Sequence, residues 1–457
     1  MSLLSFLDRE RSVARPGYSR WLVPPAALAI HLAIGQVYAF SVFVNPLHAL
    51  KAADGSSWNL KEIGYIFSIA IAVLGISAAL FGKWIERAGP RKALFLAAVC
   101  FGTGLLVSAA GVEVHSLGLV YLGYGVIGGV GLGLGYIAPV ATLIKWFPDR
   151  PGLATGMAIM GFGGGAMIGS PLATNLIAQY RGTGHGPAPA IAAAMATMGI
   201  AYLVFMMFGV LMIRVPAVGW TPEGWVPRAA SSGLISAHNV SARSAMRTPQ
   251  FWLLWLMLFL NTTAGIGMLE QASPMIQNLF VGKVNALEAG GFVGVLSLFN
   301  MSGRFVWSSL SDYLGRKWTF LCFFVIGVAL YALLSGLGAV AAFVLTAGVL
   351  ISMYGGGFST APAFLKDLYG TAEVSGIYGR LLTAWSTAGI FGPLLVNGVL
   401  DHYAAEHRPL AEAYPSVLRM MAGLLGVGLV ASLLVRPVAA RYWIKDGEPG
   451  AARAGGH

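Results

Sequence analysis

Apolar runs of roughly 20 residues recur from Trp21 to Val435, each long enough to cross ~30 Å of hydrocarbon at 1.5 Å per residue. About twelve such spans can be drawn. In hydrocarbon every backbone polar group must be satisfied within the segment, so runs of this length restrict the chain to a bundle of membrane helices. Composition agrees: 57% of the 457 residues are hydrophobic and only 10% are charged, a balance outside that of soluble folds. The expected class is an all-α membrane protein.

The formal charge of +11 could suggest a nucleic-acid partner, but the basic residues lie in short loops on alternate sides of the spans. With the N-terminus inside, about 21 Lys and Arg fall in cytoplasmic loops against about 6 on the far side. Both termini are therefore expected in the cytoplasm, with lipid rather than nucleic acid around the chain. Arg9, Arg11, Arg15 and Arg20 mark a charged juxtamembrane segment. The apolar run after it is too long for a signal-peptide core and has no obvious cleavage site, so it is expected to remain. Cys100 and Cys322 both fall inside spans, which leaves neither a disulfide framework nor a metal cluster. No cofactor is expected. Short loops and no targeting segment point by type to a prokaryotic inner membrane and a monomeric protein.

The chain repeats itself. GKWIERAGPRK, from Gly82, follows the second span, and SSLSDYLGRKW, from Ser308, follows the eighth. Aligning Glu86 with Asp312 sets an offset of 226 residues (312 minus 86), about half the chain. The expected organisation is a cytoplasmic N-terminal segment (1–20), a six-helix half (21–213), a cytoplasmic central loop (214–248), a second six-helix half (249–436) and a cytoplasmic tail (437–457). Asn239 heads an N-x-S sequon, but in that central loop it is not expected to be glycosylated.

The duplicated loop of an acid, a glycine and basic residues resembles the signature of the major facilitator superfamily, across the whole chain. GQVYAFSVF from Gly35, KWFPDRPGLATGMAIMGFGGGA from Lys145 and TPQFWLLW from Thr248 are similar to the oxalate:formate antiporter family and its monocarboxylate-porter relatives. The resemblance implies the twelve-helix fold of two pseudo-symmetric halves. Physically, Gly82, Glu86, Arg87 and Arg91 in one copy, and Asp312, Gly315, Arg316 and Lys317 in the other, are expected to form a cytoplasmic gate of charge pairs and helix-end dipoles. The first copy is read with Pro90 inserted before its basic pair. Neither copy is expected to touch substrate. Gly123, Gly125 and Gly128 match the spacing of a dinucleotide-binding fingerprint, but lie mid-span without a preceding strand; they and Gly161 to Gly165 are read as glycines for tight helix packing or gate flexibility.

The chemistry is expected at the rare polar groups within spans. Arg304 sits in an otherwise apolar eighth span, where a charge costs from ~3 to more than 10 kcal/mol and so faces a partner or an aqueous cavity. Its flat fork of donors fits a carboxylate with two parallel hydrogen bonds. The alternative is a structural arginine, since Asp312 at the interface is only about 12 Å along the helix. The resemblance implies that a helix-eight arginine binds the substrate carboxylate, and Arg304 stands there. It also implies a second cation in helix eleven for a dicarboxylate, and Trp385 stands at that position. One cation suits a monoanion, so formate, pyruvate or lactate fits better than oxalate. Arg380, five residues toward the cytoplasm, is a possible second charge or a snorkelling side chain. The resemblance further implies aromatic walls at Tyr38, Tyr354 and Phe358, the last two on one helix face, with Gln36 as an added contact.

Related proton symporters carry an Asp four residues before this arginine. Here Asn300 takes that place and cannot titrate, which favours anion exchange. Glu270 and His31 remain as possible proton sites. The expected function is a secondary transporter of small carboxylates, most readily an exchanger of a monocarboxylate. The alternatives are a proton-coupled symporter or a non-transporting membrane sensor of carboxylates. An enzyme is not expected, because no nucleophile with its base, paired carboxylates or metal-ligand set lies at one depth.

Overall fold

The structure is a computed structural model and describes residues 5–51, 55–225, 233–236 and 238–445. Six helices form the first half: α1 (Arg20–His48), α2 (Leu60–Ala88), α3 (Pro90–Glu113), α4 (Leu117–Trp146), α5 (Pro151–Gly182) and α6 (Pro187–Met212). The second half holds α7 (Pro249–Glu270, extended by Ala272–Leu279), α8 (Ala286–Leu314), α9 (Arg316–Leu334), α10 (Val340–Tyr369), α11 (Val374–Leu381, continuing as Thr383–Ala405) and α12 (Leu410–Leu434). Among the described residues ten helices are long and apolar enough, by length and composition, to cross a bilayer; α8 and α11, which carry Arg304 and Trp385, are not among them. These two depend on the surrounding helices to shelter their polar groups. Among the described residues the only β contacts are the isolated bridges Val13–Val215 and Val240–Trp443.

The sequence repeat holds residue for residue along α2 and α8 and into the turns that follow them. Asn59 caps α2 by accepting from Glu62 N at 2.8 Å, and Asn285 caps α8 by accepting from Glu288 N at 3.0 Å. In each pair the glutamate reaches back to the cap's own N–H, a reciprocal capping box. Both helices run 29 residues and end on a glycine, Gly89 or Gly315, at φ +86° or +87°. A side chain is strained there, so glycine is what lets the chain turn at once into α3 or α9. In this register Pro90 stands opposite Arg316. The expectation of an inserted proline is thereby corrected: Pro90 occupies the position that Arg316 holds in the second copy.

The segment before α1 is held against the first half. Arg91 donates to Phe6 O at 2.9 Å, Arg11 O at 3.2 Å and Ile213 O at 3.1 Å. Ala14 N donates to Val215 O at 2.9 Å, while at the other end of the chain Ile444 N donates to Asn239 O at 2.9 Å. Both ends therefore lie on the side of the central connection, called the terminus side below. Asn239 uses its side-chain oxygen to accept from Thr371 N at 3.0 Å, tying the central connection to the α10–α11 turn. Residues 226–232 and 237 of the expected central loop, and 446–457 of the expected tail, lie outside the described residues.

Two helices depart from α geometry beside the interior. Gly35–Phe40 in α1 is a 3₁₀ stretch, and Tyr121–Gly128 in α4 is a π stretch. Close glycine contacts surround the first: a Cβ on Gly35 would collide with Phe162 O, and one on Gly165 would lie 2.5 Å from Leu32 O. α1 and α5 can cross this closely only without side chains, which matches the packing role read for the α5 glycines.

Candidate functional site

Arg304 is fully buried between the two halves. Its Nε donates to Asn300 Oδ1 at 3.1 Å, one helical turn earlier, which fixes the plane of the guanidinium. Nη1 and Nη2 have no hydrogen-bond partner. Among the described residues no carboxylate pairs with Arg304 within 4.0 Å. Glycines make the room: a Cβ on Gly355 of α10 would meet Asn300 Oδ1 at 2.6 Å and Arg304 Cγ at 3.1 Å. On the α5 side Gly163 would meet Arg304 Nε at 3.3 Å. The four hydrogens of Nη1 and Nη2 thus meet no acceptor in hydrogen-bond geometry although the cation is fully buried, a costly arrangement unless an acceptor completes it.

The cation sits among aromatic rings from both halves. Its Cζ lies 5.6 Å from the Phe162 ring centroid and 5.1 Å from that of Phe358, both within cation–π range. Trp385, fully buried, packs 4.9 Å from Phe358, 5.3 Å from Tyr136, 5.4 Å from Phe162 and 6.4 Å from Tyr38. Tyr38 and Tyr354 face each other across the halves with hydroxyls 3.3 Å apart. Tyr378 lies 6.3 Å from Tyr136. The Tyr136 and Tyr378 hydroxyls and the Trp385 Nε1 are buried without a partner. The arrangement is a charged fork in an aromatic cage with extra polar donors in the wall. Such a cage suits a small anion with a compact organic part, since rings exclude water and so strengthen the cation's pull.

Of the residues singled out in the sequence, Arg304, Tyr38, Tyr354, Phe358 and Trp385 come together here. Gln36 does not. It is fully buried inside the first half, where its Oε1 accepts from Tyr124 Oη at 3.3 Å. Arg380 is partly exposed on the terminus side and donates to Gly376 O at 2.7 Å. It supplies no second charge to the cage. Glu270 is exposed at the far end of α7, accepting from Asn397 Nδ2 at 3.2 Å. His31 is fully buried two turns before Tyr38, its Nδ1 bonded to Ala27 O at 3.1 Å and its ring edge-on to Tyr136 at 5.3 Å. Tyr136, Phe162 and Tyr378 were missed. The first two stand inside the glycine runs GLGLGYIAP and GFGGGA, and a lone aromatic between packing glycines was the signal that could have found them.

On the terminus side the halves meet through the duplicated loops. Asp312, at the end of α8, crosses to the first turn of α5 and accepts from Gly152 N and Leu153 N at 2.8 Å each. Glu86, at the end of α2, reaches the first turn of α11, accepting from Ser375 N at 3.0 Å and pairing with Lys145 at 2.5 Å. Each acid therefore sits on the positive end of a helix in the opposite half. Arg316 completes the second copy by pairing with Asp312 at 2.5 Å and Asp367 at 3.0 Å. In the first copy, where Pro90 replaces that arginine, Lys145 is the acid's partner. Gly82 allows close approach, since a Cβ there would lie 2.5 Å from Ser375 O. The other basic residues of the motif do not reach across: Arg87 is exposed, Arg91 anchors the N-terminal segment, and Lys317 donates to Leu433 O and Val435 O at 2.9 Å each. Gly315 serves the turn into α9 rather than the contact between halves.

Known proteins agree with this architecture. The chain is 26% identical to the oxalate:formate antiporter of Oxalobacter formigenes, over 88% of this chain and 90% of the relative. It is 24% identical to apicoplast pyruvate carrier 1 of Toxoplasma gondii, over 72% of this chain and 68% of that one. Among solved structures, the transporter FucP in the outward conformation matches with a TM-score of 0.66 and 14% identity, covering 91% of this chain and 99% of that one. The sequence profile of the Major Facilitator Superfamily matches residues 26–393 and 283–454. The chain is thus an integral, multi-pass membrane transporter and belongs to the Major Facilitator Superfamily.

Proposed function

We propose that this protein moves small monocarboxylates, such as formate, pyruvate or lactate, by anion exchange across a prokaryotic inner membrane with both termini in the cytoplasm. The observation that carries the reading is Arg304: a fully buried guanidinium with its two terminal nitrogens unpartnered, inside an aromatic cage. A carboxylate accepts both terminal nitrogens in one plane, while Asn300 holds the third. The cage has Trp385 where a dicarboxylate site would need a second cation, and Arg380 is turned away from it. The relatives named for oxalate, formate and pyruvate support the substrate class.

The contacts of Asp312 and Glu86 with opposing helix ends serve in this reading as the terminus-side gate, and the two six-helix halves are the bodies that rock about the cage. Desolvating a lone cation costs several kcal/mol. The loaded carrier crosses the occluded state with Arg304 neutralised, whereas the empty one must carry it unpaired, so return without an anion is slow and exchange is obligatory. Asn300 cannot take up a proton, which removes the simplest route to symport.

The test is uptake of labelled formate, pyruvate, lactate and oxalate into proteoliposomes, with and without internal anion and with and without a pH gradient. Monocarboxylate uptake that requires internal anion is the expected result. Uptake driven by a pH gradient alone would overturn exchange and point to His31, the buried titratable side chain against the Tyr136 ring. Binding of a carboxylate with no flux under any gradient would instead make the protein a sensor.

A further inference from the structure

Gln36 and Tyr38 share the 3₁₀ stretch Gly35–Phe40, and that geometry assigns them different tasks. In a 3₁₀ helix residues three apart eclipse one another. One column is Gly35 and Tyr38, which face α5: Tyr38 lies 5.1 Å from the Phe162 ring, and Gly35 abuts Phe162 O. The other is Gln36 and Ala39, which meet a later turn of α5 and α6 instead of the Phe162 turn: a Cβ on Gly169 of α5 would meet Gln36 Cγ at 3.1 Å, Ala39 Cβ at 3.3 Å and Tyr202 Oη of α6 at 3.2 Å. Tyr124 holds the stretch from the side away from the Phe162 turn, donating to Gln36 Oε1 at 3.3 Å and packing 4.8 Å from the ring of Phe40, the last residue of the stretch. Tyr124 itself belongs to the π stretch of α4.

We infer that Gln36 and Tyr124 are positioning residues, which hold α1 in its 3₁₀ form and thereby aim Tyr38 at Tyr354 and the cage. The inference rests on the proposed role of the cage around Arg304. Two residues apart, side chains diverge by about 240° in a 3₁₀ helix and about 200° in an α-helix. Relaxation of the stretch would therefore swing Tyr38 by about 40° relative to Gln36 and break its 3.3 Å contact with Tyr354. Each single hydrogen bond is weak, but the two distorted segments face each other across it. The bond ties the 3₁₀ turn of one helix to the π turn of another, and glycines at 35 and 165 leave no slack on the opposite side.

The test compares Gln36→Met, Tyr124→Phe and Tyr38→Phe, singly and in pairs, by proteoliposome exchange and by hydrogen–deuterium exchange over residues 35–40. Gln36→Met and Tyr124→Phe should each raise the apparent KM about five- to tenfold, with no further rise when combined. Neither should add anything in a Tyr38→Phe background, and amide exchange over 35–40 should quicken in both. A KM effect for Gln36→Met with normal Tyr124→Phe would make Gln36 a direct substrate contact and overturn the inference. So would unchanged amide exchange in both variants, a readout that does not depend on any transport by Tyr38→Phe. Thermal melting in detergent identifies variants that merely fail to fold; retained folding and unchanged KM in both also overturns it. If Arg304→Ala keeps wild-type transport, the cage reading fails; if it abolishes transport and the Gln36 set has no effect, only this inference fails.

Discussion

Replacing Arg304 by lysine keeps the charge and removes the fork, which makes it the sharpest probe of the site. In the structure Nε is committed to Asn300, and the two terminal nitrogens are the free donors. A carboxylate held by both gains two charge-assisted hydrogen bonds, each worth about 1.5–3 kcal/mol. Lysine offers one compact ammonium and cannot form the parallel pair, and it leaves the buried Asn300 oxygen without its donor. Losing one such bond should raise the apparent KM about 10- to 100-fold, since about 1.4 kcal/mol is a factor of ten. Arg304→Ala loses both bonds and the charge, about 3–6 kcal/mol, and should leave exchange at background. The assay is formate or pyruvate counterflow in proteoliposomes, with reconstituted protein quantified and melting checked. An apparent KM within about twofold of wild type in both variants would falsify the assignment of Arg304, because no charge-assisted bond is that weak in a buried cage.

Asn300→Asp places a carboxylate beside Arg304 that competes with substrate; uptake should fall at neutral pH and rise as pH falls and the new acid is protonated, as measured by uptake against pH. A flat profile would mean the side chain at position 300 does not face the guanidinium. Asp312→Asn removes the charge from the α5 N-terminus and the partner of Arg316, weakening the terminus-side contact by about 1–2 kcal/mol. Thiol labelling of single cysteines along the α5–α8 seam should quicken on that side, while Glu86→Gln, which loses its pairing with Lys145, should do less. Arg91→Ala frees Phe6 O, Arg11 O and Ile213 O, so amide exchange over residues 5–15 should rise with the apparent KM for substrate unchanged.

The sequence by itself determined the class, the duplication and the identity of the central cation. Apolar runs of membrane length leave the backbone no choice but helices, and a 226-residue offset is visible wherever Glu86 and Asp312 end matching helices. A lone arginine in such a run calls for a partner or an aqueous cavity, because burying it otherwise is too costly. What the sequence could not fix was direction. Gln36 and Tyr38 are neighbours in a helix that reads as ordinary α, and only the 3₁₀ turn sends one into the first half and the other to the cage. Tyr136 and Phe162 sit far from Arg304 in sequence and reach it because glycines let α1, α4 and α5 close on one another, while Tyr378 joins them where Gly379 lets α11 close on α2. Arg91 and Arg316 look equivalent in a basic loop, yet tertiary structure gives one to the N-terminal segment and the other to Asp312 and Asp367. The physical reason is the same in each case. Hydrophobicity and charge are properties of a residue, but which partner satisfies a buried donor is decided by where the neighbouring helices allow it to point.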